Sequence, residues 1–261
     1  MTLRFCPVAS GSSGNCIYAG CGGTHILIDA GISGSRVEKG LSFAGADRVD
    51  AILITHEHAD HISGAGVLAR RFGACVYASA NTWRYINRHD SLGPVDPAKK
   101  ISVEPGVPVT IGNFDVLPFE IPHDASGPVG YCLYADGKKI TVATDIGHVN
   151  DTIRRSLLGS DICLIESNHD LDMLKNGRYP RPLKERVMGK KGHLSNATAG
   201  MLLADVASES MQAVYLGHLS EENNRPLLAL GTVTNILEAR EIKLKRLIVA
   251  DRHMPSEIAE L

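Results

Sequence analysis

Residues 52–64 read ILITHEHADHISG, and the reading of this stretch decides the fold. Four side chains able to bind metal, His56, His58, Asp60 and His61, lie within six residues and directly follow an apolar run. That run, VDAILIT (49–55), is nearly continuous, as expected of a strand covered on both faces. A strand end beside a loop presents polar groups on a rigid frame. Imidazole and carboxylate together suit divalent zinc, manganese or iron.

Three other places repeat the pattern of an apolar run followed by a potential ligand. EIPHDASGP carries His123, VATDIGH carries Asp145, and VYLGHLSEENN carries His218. All four places can therefore lie on one rim. The seven candidates exceed what one tetrahedral ion needs and fit two divalent ions. A single His after a strand is commonly a surface residue; H-x-H-x-D-H with three matching strand ends is a far more specific signal.

The chain has 261 residues, enough for a substantial core, and no low-complexity segment or short repeat divides it. It is read as a single domain over residues 1–261. A formal net charge of −2 supplies no global attraction to nucleic acid or membrane, so an anionic substrate must be held by local cations or metal. No apolar run approaches the length of a membrane span, and the first residues lack a signal core. The six cysteines are scattered without a CxxC pair, as in a reduced cytoplasmic protein. Nothing in the sequence sets an oligomeric state.

Apolar runs at 16–19 and 25–28 flank a Gly-containing turn and predict a hairpin. GYCLYADGKKITVAT (130–144) predicts another, turning at Asp136-Gly137. Helices are expected at 34–44, 65–72, 150–158, 196–208 and 226–239. Strands are expected at 74–79, 161–166, 213–217 and 246–251. The polar segment from there to about residue 192, after the strand at 161–166, reads as irregular. Strand-rich blocks precede alternating elements in each half, which points to an α/β fold: a four-layer αββα sandwich of two similar halves.

THEHADHISG, followed in order by His123, Asp145 and His218, resembles the metallo-β-lactamase superfamily, from the first hairpin to about residue 225. The resemblance implies that His56, His58 and His123 hold one metal, that Asp60, His61 and His218 hold the other, and that Asp145 bridges them. Asp at the bridging position is similar to the two-metal hydrolases rather than to the β-lactamases with Cys there. The fold alone leaves the reaction open. Physically, a water shared between two cations roughly 3.5–4 Å apart becomes a hydroxide nucleophile near neutral pH, and Asp60 is a candidate to orient it.

CLIESNHD places Glu166 at a further strand end, and GHLS (192–195) puts His193 before a helix that Ser195 or Asn196 can cap. A His held by a carboxylate keeps its tautomer and can act as a general acid. In ribonuclease Z, a strand-end Glu and a Gly-His before a helix form such a pair, and the order Glu166, His193, His218 is similar. No Gly/Pro-rich arm of the ribonuclease Z kind is visible, and the chain has no room for the added domains of the ribonuclease J type. ASGSSGNC (9–16), HDASGPVGY (123–131), ATDIG (143–147), ESNHD (166–170), GHLSN (192–196) and GHLSEENN (217–224) together resemble the bacterial YycJ/WalJ-type subfamily. This resemblance implies a 5′-to-3′ exonuclease, with DNA favoured over RNA.

Residues 178–191, RYPRPLKERVMGKK, carry six Lys/Arg against one acid, and six minus one gives +5. Lying between Glu166 and His193, the segment is a candidate contact for the phosphate backbone, with Arg186 and Lys190 as its representatives. Ser126 and Asn223 are further substrate-binding candidates. SGSSGN (10–15) reads equally as a rim of the site or a plain turn. His148 and His169 are expected to support the site, while His25, His89 and His253 read as structural or exposed. Trp83 and Tyr85 could stack bases, although their helical spacing favours packing. Two rival readings are a small ester, thioester or lactone hydrolase on the same metals, and a non-catalytic nucleic-acid-binding module. His and Asp ligands do not separate zinc from manganese.

Overall fold

The computed structural model describes residues 1–261. Its first half runs β1 (Leu3–Ala9), β2 (Cys16–Cys21), β3 (Thr24–Ile28), α1 (Gly34–Phe43), β4 (Ala51–Leu53), α2 (Ala59–Ile62), α3 (Ala65–Phe72), β5 (Cys75–Ser79), α4 (Ala80–His89) and β6 (Lys100–Val103). The second half runs β7 (Val109–Ile111), β8 (Phe114–Glu120), β9 (Val129–Ala135), β10 (Lys138–Ala143), α5 (Asp151–Leu157), β11 (Ile162–Glu166), α6 (Leu171–Asn176), α7 (Arg181–Met188), α8 (Asn196–Val206), β12 (Ala213–Gly217), α9 (Pro226–Ala239), β13 (Leu247–Val249) and β14 (Ala259–Glu260).

Two seven-stranded sheets result, ordered β14-β1-β2-β3-β4-β5-β6 and β13-β12-β11-β10-β9-β8-β7. In each, antiparallel hairpins give way to parallel strands: β3 to β6 in one sheet and β10 to β13 in the other. Parallel strands covered on both faces explain why VDAILIT and DICLIE are apolar throughout. The pleat sends alternate residues to different layers. Ile17 and Ala19 of β2 point between the sheets with Phe5, Phe114, Tyr131 and Tyr215. Cys16 and Tyr18 face the opposite way, packing with Val37, Leu68 and Trp83 of α1, α3 and α4. On the far side, Cys163 and Ile165 of β11 pack with α5, α8 and α9 through Leu157, Leu203 and Val233. The layers are therefore helix, sheet, sheet, helix, as expected from the sequence.

The polar segment after β11 departs from expectation, because it contains α6 and α7. Asp170 caps α6 by accepting from the backbone N–H groups of Asp172 and Met173, and Pro182 lies in the first turn of α7. Only Val187 of α7 is buried, so no apolar period betrayed the helix. The strands β1 and β14 and the helix α4 are additions to the sequence reading.

Topology sets the site. β8 and β10 both run antiparallel to β9, and β11 and β12 run parallel to β10. Their carboxyl ends consequently share one rim, which carries His123, Asp145, Glu166 and His218. In the other sheet β3 runs parallel to β4 and delivers Asp29 beside the opening motif. The Tyr131 hydroxyl donates to the Ile54 carbonyl at 2.8 Å, joining the two sheets at the base of the motif.

Candidate metal centre

The segment from β4 into α2 turns sharply, and the turn divides its four polar residues. His58 is extended and precedes α2, and the single turn of α2 carries Asp60 and His61. His56, His58 and His123 form one triple, and Asp60, His61 and His218 form a second; within each triple the candidate ligand atoms lie within 4.8 Å of one another. Asp145 reaches both. Its Oδ2 is 3.4 Å from His61 Nε2, and its Oδ1 is 3.7 Å from His123 Nε2 and 3.6 Å from His218 Nε2. All seven candidate ligands therefore meet in one place.

The outer nitrogens are occupied by protein, which turns the inner ones toward the cluster. His61 Nδ1 lies 2.7 Å from Asp29 Oδ2, His123 Nδ1 lies 3.2 Å from the Gly192 carbonyl, and His56 Nδ1 lies 3.0 Å from Thr55 Oγ1. Thr55 Oγ1 in turn donates to Asp29 at 2.8 Å. His218 Nδ1 lies 2.9 Å from Glu166 Oε1. Asp29, Asp145 and His218 all sit at positive φ, 58°, 59° and 55° respectively, a conformation that non-glycine residues hold only when their surroundings impose it. Gly31 allows a close approach on the other flank: a Cβ there would lie 1.7 Å from the Asp60 carbonyl oxygen.

Three buried atoms aimed into the cluster, His123 Nε2, His218 Nε2 and Asp145 Oδ2, have no hydrogen-bond partner in the protein. Such orphaned polar atoms are costly unless something else satisfies them. Cations fit that demand, and imidazole with carboxylate is the donor set they need. The electrostatics divide the histidines: burial would lower His61 and His218, but the facing carboxylates, Asp29 foremost for His61 and Asp145 foremost for His218, raise both. Burial holds His56 well below the ordinary imidazole range and lowers His123, favouring the neutral ligating form. Burial alone would raise Asp145, but the facing histidines, His218 foremost, hold it well below the carboxylate range.

Glu166, at the end of β11, is fully buried and accepts four hydrogen bonds. Oε1 takes His193 Nδ1 at 2.8 Å and His218 Nδ1 at 2.9 Å; Oε2 takes the backbone N–H groups of Ile146 and Leu194 at 2.8 and 2.9 Å. Burial would raise this carboxyl, but the adjacent His193 and these hydrogen bonds bring it down to about 2. Burial would lower His193, yet the Glu166 charge raises it. Ser195 caps α8 by accepting from the Thr198 N–H, fixing the chain just after His193.

The substrate-binding candidates are distributed differently. Ser126 is half-buried, its N–H donating to Glu57 Oε1 at 2.8 Å. Arg186 is paired with Asp124 at 2.6 Å, so its charge is already engaged beside His123. The Lys190 side chain is exposed, while its carbonyl accepts from His148 Nδ1 at 2.9 Å and the Lys191 carbonyl accepts from the Asp124 N–H. The end of the basic segment thus lies against the site. Asn223 is only 1% exposed and its amide faces Gly177, so the structure does not open it toward the cluster. His148 is exposed and His169 buried. Trp83 is buried, with Nε1 donating to the Ile101 carbonyl.

Sequence reasoning missed Asp29 and Glu57, and left the SGSSGN turn that carries Asn15 open between a rim of the site and a plain turn. Asn15 is fully buried and ties the SGSSGN turn to the motif, its N–H donating to the Asp60 carbonyl at 2.8 Å. Ser10 Oγ accepts the His218 N–H at 2.8 Å, so that turn also supports the site. Asp29 carried the same signal as the other strand ends, an acid directly after the apolar run HILI.

A buried, two-centred His/Asp cluster on the rim of an αββα sandwich defines the class, and the Metallo-beta-lactamase superfamily profile matches residues 9–197. The chain belongs to that superfamily of hydrolases. Within it, the chain is 38% identical over 92% of its length to exodeoxyribonuclease YycJ of Bacillus anthracis, covering 91% of that protein. It is 39% identical, again over 92%, to exodeoxyribonuclease WalJ of Streptococcus pneumoniae, covering 90% of it. The fold is also similar to that of the metallo-beta-lactamase fold protein YhfI from Bacillus subtilis, with a TM-score of 0.74, 14% identity and full coverage of both chains. Nucleases of this superfamily use two divalent metal ions, and the cluster described above could hold both.

Proposed function

We propose that this protein is a metal-dependent phosphodiesterase that degrades DNA from the 5′ end. The observation that carries the reading is the shared oxygen of Glu166, which orients His218 in the ligand cluster and His193 beside it. In this reading His56, His58 and His123 hold one ion, Asp60, His61 and His218 the other, and Asp145 both. Bound there, two divalent cations supply Lewis acidity, lowering the pKa of water and offsetting negative charge on a phosphoryl group.

The chain's own residues supply the rest. Glu166 accepts a hydrogen bond from His193 Nδ1–H and stabilises the imidazolium, whose Nε2–H protonates the departing alkoxide. A thioester hydrolase does not require that pair, because its thiolate departs without protonation. Asp60, whose side chain is 24% exposed at the rim, orients the attacking water. Lys190 and the flanking cations face the phosphate backbone. DNA is favoured over RNA because the similar YycJ and WalJ proteins are exodeoxyribonucleases. The setting is the reducing cytoplasm, supported by six free cysteines and by the lack of any helix long and apolar enough to cross a membrane.

The test is direct. Metal-loaded protein is incubated with single- and double-stranded DNA and RNA labelled at either end, with Mn²⁺ or Zn²⁺. Stepwise release from the 5′ end of DNA is expected. Inert nucleic acids together with turnover of nitrocefin, a thioester or a lactone would replace this reading with small-molecule hydrolysis.

A further inference from the structure

Helix α4 carries a second feature, which the metal chemistry does not use. Its buried side consists of Thr82, Trp83 and Ile86. The opposite side presents Asn81, Arg84, Tyr85, Arg88 and His89, spaced three, four and seven or eight residues apart and so forming one face. These five residues and Ser126 line a cavity of about 570 Å³.

Three observations point to its occupant. First, the Arg84 and Arg88 side chains are exposed and form no ion pair or hydrogen bond with the rest of the chain. In α7, by contrast, Arg186 is held by Asp124 and Arg181 by Glu185. Second, Tyr85 is 40% exposed with its ring 4.4 Å from that of His89, leaving an aromatic surface beside the two cations. Third, the cavity wall includes the loop that follows His123. Ser126 is three residues from His123, so their Cα atoms are no more than about 11 Å apart. That loop is clamped from both sides: Glu57 of the metal motif accepts the Ser126 N–H at 2.8 Å, and Ser79 Oγ donates to the Gly127 carbonyl at 2.8 Å. The cavity beyond Gly127 is lined by Glu104 and Glu120 and has the wrong charge for phosphate.

We infer that the α4 face is a track for single-stranded DNA leading to the metal cluster, with Arg84 and Arg88 on successive phosphates and Tyr85 stacking on a base. The inference rests on the nucleic-acid reading above and adds where the strand runs. It adds a backbone contact on α4 to the one proposed for Lys190 and its flanking cations.

The experiment uses metal-loaded wild type, Arg84→Ala/Arg88→Ala and Tyr85→Ala. Substrates are a single-stranded oligodeoxynucleotide and thymidine 5′-p-nitrophenyl phosphate, a diester with no second phosphate for Arg84 and Arg88 to hold. Removing two phosphate contacts should reduce the salt slope of log K for the oligonucleotide by about 1.4. Removing the stacking ring should raise the ratio of oligonucleotide KM to small-diester KM roughly tenfold or more. An unchanged slope and an unchanged KM ratio, with wild type active on both substrates, would overturn the α4 track alone. Wild type that cleaves the small diester but neither binds nor cuts any nucleic acid would sink both readings. Circular dichroism of the variants checks that α4 remains helical.

Discussion

His193 and His218 share one acceptor: the same oxygen of Glu166 lies 2.8 Å from one Nδ1 and 2.9 Å from the other. One buried carboxylate thereby couples a residue of the candidate ligand cluster to the proposed general acid. Its second oxygen is bonded to two backbone N–H groups on separate loops, so the pair is positioned by the fold itself.

Four donors converge on Glu166, so Glu166→Gln cannot be a silent isosteric change. An amide NH₂ would face either the two backbone N–H groups or the two imidazoles. Leaving donors unsatisfied in a fully buried site should cost about 1–3 kcal/mol, read as a lower urea midpoint. Cleavage should fall together with metal affinity, because His218 loses its orienting partner along with His193. A variant with wild-type metal content and midpoint would contradict the shared-acceptor role.

Asp29 should matter although it touches no proposed metal position. It holds His61 Nδ1 at 2.7 Å and, through Thr55, steadies His56. Asp29→Ala should weaken metal affinity by roughly 10–100-fold, measured by titration against a chromogenic chelator. Unchanged affinity would show that the Asp29–His61 pair is structural only.

Metal removal should destabilise the protein. Three buried ligand atoms lose their partner, and binding at about a thousand times Kd contributes roughly 4 kcal/mol per site. Emptying both sites by chelation should thus lower the melting temperature by roughly 15–30 °C for a chain of this size, and added Mn²⁺ or Zn²⁺ should restore it. His58→Ala should show a smaller metal-dependent shift and lose activity with it.

The cysteines offer an independent check on the layered core. Burial pushes the Cys6 and Cys163 thiols up to about 12, and all but the half-buried Cys75 are enclosed. Thiolate is the reactive form, and its fraction falls as the pKa rises above the working pH. At pH 8 a disulfide reagent should therefore label Cys75 alone in the native protein and all six thiols in denaturant. Rapid labelling of Cys6 or Cys163 would contradict the packing described.

Much of the site was legible because strand-end ligands leave a local signature. His56, His58, Asp60 and His61 announce themselves within six residues, and the same pattern of apolar run then acid or imidazole located His123, Asp145, Glu166 and His218. Contacts that depend on sheet order left no such trace. Asp29 acts on His61 only because β3 lies beside β4, and Glu57 meets Ser126 only once the two sheets face each other. The net charge of residues 178–191 was visible, but the pairing of Arg186 with Asp124 was not, so charge counting assigned that segment cations that are already engaged. Asn223 was named as a substrate-binding candidate, but its side chain is buried against Gly177 at the end of α6, a helix that apolar periodicity did not reveal.

The central claim is that His193 delivers a proton to the leaving oxygen. His193→Ala, loaded with metal, should be compared with wild type on DNA and on thymidine 5′-p-nitrophenyl phosphate, whose nitrophenolate leaves without protonation. DNA cleavage should fall by roughly 10²–10⁴-fold at unchanged metal content, while nitrophenolate release falls far less. Equal losses on both substrates, or no loss on DNA, would contradict the general-acid role.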